Sequence, residues 1–250
     1  WDIRDVNLRA NLDDPQETQL TFNGILGAPE QSGQFLLSGL PMSVISEFIE
    51  FPEGVRLGGS FDAQATLSGR LENPAARGEI RWNNGQINQQ SVTQAQGGFA
   101  VADGRLNFGA GATLRDDADP IRLRATLPLL IPGSTVRPDS NKFESAVNGK
   151  HEGLAGLTAL TDGALEWLDG EGTLELAIAG ERVGMGFNYL PLATRGRAEF
   201  RDAEFNSPQL PEPLTQVNGT LEFLDDTVVV SELTGQFRRG SVRAAGELPV

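Results

Sequence analysis

The chain has 250 residues, 39% of them hydrophobic, and carries 34 Asp and Glu against 20 Lys and Arg, a formal net charge of -14. Its mean hydropathy of -0.24 and lack of a long apolar run allow a sizeable core but no transmembrane span. The acidic balance argues against nucleic acid and against anionic membrane surfaces as partners, because both kinds of binding rely on clustered basic residues.

There are no cysteines, which removes disulfides, thiolate zinc sites and cysteine nucleophiles together. This suits a reducing compartment and a disulfide-independent periplasmic protein equally. The chain begins at Trp1 with no Met, no basic start and no secretory apolar stretch, and is therefore expected to be a piece of something longer.

In chain order, residues 1–39 read as the end of a preceding β repeat. From Pro41 to Phe51, Val44, Ile45, Phe48 and Ile49 recur at helical spacing and Pro52 stops the run, which predicts a short amphipathic helix over Met42 to Ile49. Alternation at period two then dominates. Ile80 and Trp82 face away from Glu79 and Arg81, and Ile121, Leu123, Ala125 and Leu127 away from Arg122, Arg124 and Thr126, so each strand has one dry and one wet face. Asn84-Gly85, Asp103-Gly104, Asp116-Asp117-Ala118-Asp119-Pro120 and Asp225-Asp226 read as hairpin turns of a meander. The stretch from Pro132 to Lys150 has no sustained period and reads as an exposed loop, so 129–153 is assigned as a linker. Leu154, Leu157 and Leu160 suggest a second short helix.

One pattern is spelled twice, over 40–128 and 154–250. An apolar segment opens each copy. Gly59 to Gly69 in the first copy then corresponds to Gly172 to Gly180 in the second. Pro74 and Arg77-Gly78-Glu79-Ile80-Arg81-Trp82 correspond to Pro191 and Arg195-Gly196-Arg197-Ala198-Glu199-Phe200, and the copies close on Leu127-Pro128 and Leu248-Pro249. Such recurrence predicts a duplicated supersecondary unit in a stacked β architecture.

The Leu-Pro closures, the strand-Gly-strand cadence, and Leu210-Pro211-Glu212-Pro213-Leu214 leading into Asn218-Gly219-Thr220-Leu221-Glu222-Phe223 resemble the TamB family, within the wider AsmA-like group. The resemblance covers most of the chain, best from Gly59 to Trp82 and from Trp167 to Val250. It implies a mainly β fold: an elongated, half-open β-taco or β-groove built from two related repeats with one or two short helices, its trough lined by apolar side chains. It further implies a parent protein anchored in the inner membrane and crossing the periplasm, with an outer-membrane barrel-insertase partner. The implied cargo is phospholipid, or a nascent outer-membrane protein, passing between the membranes.

The residues expected on the inner face are Phe61, Leu67, Ile80, Trp82, Phe99, Val101, Leu123, Leu174, Leu176, Ile178, Phe200, Leu221, Phe223, Phe237 and Val242. Alternation alone leaves two outcomes open: a trough completed by lipid chains, each buried methylene contributing about 0.8 kcal/mol, or an ordinary packed sandwich core.

Enzyme chemistry is not expected. His151 is the sole histidine and sits in polar Lys150-His151-Glu152, without signalled partners for a metal site or a catalytic relay. Asp116, Asp117 and Asp119 lack the Gly and distal Glu of an EF-hand loop. Gly109-Ala110-Gly111 and Gly184-Met185-Gly186 are not followed by Lys-Ser or Lys-Thr, so neither is a phosphate loop. No cofactor, metal or catalytic residue is assigned. The alternatives are a β-helix enzyme acting on polysaccharide and a purely structural or adhesive β array.

Overall fold

The structure is a computed structural model that describes residues 3–10, 18–26, 30–46, 56–87, 90–114, 119–131, 133–151, 154, 166–184 and 189–249. The first half contains β1 (Ile3–Ala10), β2 (Thr18–Leu26), β3 (Ser32–Pro41), α1 (Met42–Ser46), β4 (Leu57–Arg70), β5 (Asn73–Ile87), β6 (Gln90–Ser91), β7 (Gln94–Ala102), β8 (Arg105–Thr113) and β9 (Ile121–Pro128). The second contains β10 (Lys142–Lys150), β11 (Glu166–Arg182), β12 (Tyr189–Asn206), β13 (Leu214–Leu224), β14 (Thr227–Phe237) and β15 (Gly240–Pro249).

The strands form one sheet in chain order, every neighbouring pair antiparallel, with only the two-residue β6 off the path. The sheet runs from β1 to β15 without closing into a barrel, as in an elongated half-open groove. Short turns explain the meander: Leu71-Glu72, Asp103-Gly104, Asp225-Asp226 and Arg238-Arg239 each reverse the chain between paired strands.

The two long hairpins share features of backbone register. In the β4–β5 hairpin Gly69 pairs with Pro74, and in the β11–β12 hairpin Gly180 pairs with Pro191. Both hairpins break register at a glycine held at positive φ, Gly59 at 96° and Gly170 at 108°. Each bulge faces a left-handed non-glycine residue, Asn84 at 48° and Asp202 at 47°. A Cβ on Gly59 would lie 2.6 Å from the carbonyl oxygens of Asn83 and Asn84, and one on Gly170 2.5 Å from the Ala203 Cα. By its bulge Gly59 corresponds to Gly170, two residues before Gly172.

Two further expectations change. Asn84-Gly85 is the bulge inside β5 rather than a hairpin turn. The expected linker contains β10, because Phe143, Ser145, Val147 and Gly149 alternate and pair with Gly180, Ile178, Leu176 and Leu174 of β11. β10 also pairs with β9, so it joins the two halves into a continuous sheet. α1 covers Met42–Ser46, packed on β3 and β4 with Met42 buried; Glu47 to Ile49, Asp116-Asp117-Ala118, and the second expected helix beyond Leu154 lie outside the described residues.

The deepest core lies in the second half. Leu154, Trp167, Leu174, Ala198, Phe200, Ala203, Phe205 and Val217 form a sealed cluster, with Leu154 0% and Trp167 1% exposed. Trp167 and Phe200 each meet Phe205 edge to face at 5.2 Å, a geometry favoured by the ring quadrupoles.

Candidate functional site

Directly paired residues in an antiparallel sheet project from the same face. The registers can therefore be followed from strand to strand. Leu67 pairs with Ala76, Ala76 with Val101, Val101 with Leu106, and Leu106 with Leu127. Ile80 leads through Gly97 and Ala110 to Leu123, then to Val147 and Leu176. Phe61 pairs with Trp82, Gly78 with Phe99, Ser145 with Ile178, and Leu174 with Ala198, itself paired with Leu221. Gly172 pairs with Phe200, Gly196 with Phe223, Gly235 with Val242, and Phe237 with Gly240. All fifteen residues expected on an inner face consequently share one face of this sheet.

They are not equally available on it. Leu174 and Phe200 belong to the sealed cluster, with Leu176, Leu221 and Phe223 packed against it. A Cβ on Gly172 would strike the Leu154 side chain at 2.3 Å, so Leu154 sits directly over this face and closes it locally. At Leu174 and Phe200 the packed-core outcome holds. Phe61, Leu67, Ile80, Trp82, Phe99, Val101 and Ile178 are only half-buried, while Leu123 is 36% and Val242 42% exposed.

The rings lie down on this face because glycine lets them. A Cβ on Gly78 would sit 2.7 Å from the Phe99 ring, and one on Gly180 2.5 Å from the Phe143 ring. Each aromatic thus covers the bare backbone of the strand beside it, as in the aromatic rescue of strand glycines. The Phe61 and Trp82 rings stack at 5.7 Å, and the Trp82 indole N–H donates to the Gly58 carbonyl at 2.8 Å. The result is a low apolar carpet across the strands.

At the β9–β12 end, the Tyr189 hydroxyl donates to the Pro128 carbonyl at 2.9 Å, and its ring meets Phe143 edge to face at 5.5 Å. Burial pushes the Tyr189 phenol up from its ordinary pKa, and the nearby Arg182 partly opposes that.

Two elongated depressions, about 1490 and 920 Å³, run across the strands. Most of their walls come from the opposite, polar face, two residues per strand. They include Arg77, Arg81, Arg122, Arg124 and Arg195 against Asp62, Glu79 and Glu144. In a chain of net charge -14 this strip is locally basic. Sequence alternation put Arg81, Arg122 and Arg124 on the wet face; that they line a depression depends on register between strands distant in sequence.

His151 follows the last residue of β10 in a left-handed conformation, at φ 43°. No group of three or more metal-ligating side chains occurs among the described residues, and none of their helices is long and apolar enough to cross a membrane. Compared with known proteins, the chain matches no family model, no curated protein and no solved structure.

Proposed function

We propose that this chain is a non-enzymatic segment of a TamB-like envelope bridge, whose apolar face shields phospholipid acyl chains passing between inner and outer membranes. The carrying observation is the gathering of fifteen separately spaced apolar residues on one face of an unclosed sheet, where most remain half-exposed. Apolar surface of this extent normally signals a partner. An acyl chain laid along it gains about 0.8 kcal/mol per buried methylene. Leu154 and the Trp167 cluster form a closed floor at one part of the second half, and the lipid path follows the face from Phe61 through Ile80, Phe99 and Leu123 to Ile178.

The parent protein in this reading is anchored in the inner membrane, spans the periplasm and meets a barrel insertase in the outer membrane. A nascent outer-membrane strand is the second possible occupant of the same face, since it presents alternating apolar side chains. A β-helix enzyme is disfavoured by the pairing, because such coils stack parallel strands whereas every pairing here is antiparallel.

Native mass spectrometry of the purified chain tests the proposal: co-purifying phospholipid is expected, and a chain that stays lipid-free after incubation with phospholipid vesicles contradicts it. In the complete parent, Leu176→Arg or Phe223→Asp should impair envelope function more than Glu175→Arg or Glu222→Arg on the opposite face, with folding checked for each variant. Equal effects from the two faces would contradict the assignment.

A further inference from the structure

The basic strip on the polar face has a construction that folding does not require. Arg81 leads through Gln96 and Gly111 to Arg122 along one row of paired residues, and Glu79 leads through Gly98 and Gly109 to Arg124 along the next. Strands lie about 4.8 Å apart, so each row holds its end residues about 14 Å apart, across Gln96 and Gly111 in the first and across Gly98 and Gly109 in the second. Arg81, Arg122 and Arg124 line the 920 Å³ depression, and Arg77 and Arg124 the 1490 Å³ one.

The local carboxylates make no ion pair with these arginines, although Asp62 stands directly opposite Arg81 in the β4–β5 register. Asp62 accepts from the Gly39 amide at 2.9 Å and from the Asn83 side chain at 2.7 Å, and Glu79 accepts from the Gln64 side chain. Arg77, Arg81, Arg122 and Arg124 take part in none of the ion pairs or side-chain hydrogen bonds among the described residues. All four therefore line the depressions without an ion pair or side-chain hydrogen bond among the described residues.

The floor is also unusual. A Cβ on Gly98 would meet its nearest atom at 3.7 Å, on Gly109 at 4.0 Å and on Gly111 at 3.7 Å, all ordinary contacts. None of the three has a positive φ. This contrasts with Gly78 and Gly180, where a Cβ would strike a backbone carbonyl oxygen, of Gln64 at 2.3 Å and of Leu190 at 2.1 Å, as well as the ring. Strand-interior glycine weakens a strand relative to alanine, and where no bulge, bend or packing contact explains it, close approach of another molecule to the backbone is the remaining use.

We infer that the depression over Gly98, Gly109 and Gly111 is an anion site that takes a phosphate group, held between Arg81, Arg122 and Arg124. Guanidinium groups match phosphate oxygens bidentately, and the bare floor lets the ligand reach backbone level. The phosphate is that of a free phosphate compound or of a lipid headgroup. This site is separate from the apolar face and does not depend on what that face carries.

The test is a titration of the chain with inorganic phosphate, followed by the amide signals of Gly98, Gly109 and Gly111, in parallel with flotation on phosphatidylcholine vesicles with and without phosphatidylglycerol. Saturable shifts at those glycines are expected, weakened about tenfold or more in an Arg81→Gln, Arg122→Gln double variant and unchanged in Arg238→Gln. Gly111→Ala should leave the fold intact, because a Cβ has room there, and should weaken the phosphate response by raising the floor. Flotation that needs phosphatidylglycerol and is lost in the double variant identifies the headgroup; phosphate shifts without flotation identify a soluble phosphate. Absence of both responses, or shifts that persist in the double variant, overturns the inference, whatever lipid the apolar face retains.

Discussion

Single residues separate what the fold demands from what it tolerates. Gly59 and Gly170 hold positive φ with carbonyl or Cα atoms where a Cβ would go. Alanine at either should cost about 1–3 kcal/mol in urea unfolding, whereas Gly109→Ala, with open space and an ordinary extended backbone, should be neutral or slightly stabilising. Tyr189 offers a second probe, since it is the only tyrosine in the chain. Its phenol is raised in the folded state by burial, so the stability it contributes is fully present below the ordinary tyrosine value, near pH 10, and is lost as pH rises through the folded value. Tyr189→Phe should therefore lose about 0.5–1.5 kcal/mol at neutral pH with its hydrogen bond to Pro128, and should decline less steeply above pH 10. Ultraviolet titration of the tyrosinate checks the shift, and chemical unfolding at several pH values checks the linkage.

Among the elements, the two long hairpins share a glycine bulge and a Gly–Pro pairing, and each meets a short segment of the chain before it. α1 packs on β4, and Leu154 plugs the face of β11. The second contact is the better sealed, so Trp167→Ala, which empties the cluster under Leu154, should destabilise the chain by about 3–5 kcal/mol. A loss below about 1 kcal/mol would mean the cluster is not a cooperative core. The hairpins were readable from sequence because alternation, Gly69 with Pro74, and Gly180 with Pro191 are local signals. β10 was not: Asn148-Gly149 mimics a turn, and Gly149 reads as a strand residue only once Leu174 is seen opposite it. The bulges were missed for a related reason, since Asn84-Gly85 carries turn chemistry that the structure uses inside a strand.

At the scale of the whole molecule, the sheet presents an apolar carpet on one side and a mixed, locally basic strip on the other. Period-two spacing was enough to assign all fifteen apolar residues to one side, because alternation fixes facing within a strand and the registers merely join the strands. Which of them stay open was not legible, since the sealing of Leu174 and Phe200 depends on Leu154, far from both in the strand pattern. The basic strip was equally hidden, since Arg81 and Arg122 meet only through Gln96 and Gly111.

Site-specific photo-crosslinking tests the central claim most directly, with a photoreactive phenylalanine analogue placed in turn at Ile80, Phe99 or Leu123 on the apolar face, and at Glu79, Ala100 or Arg124 on the polar face. In the parent protein in cells, acyl-chain adducts should form from the first three positions and not from the second three. Acyl-chain adducts distributed equally between the faces, or absent from Ile80, Phe99 and Leu123, would contradict the account.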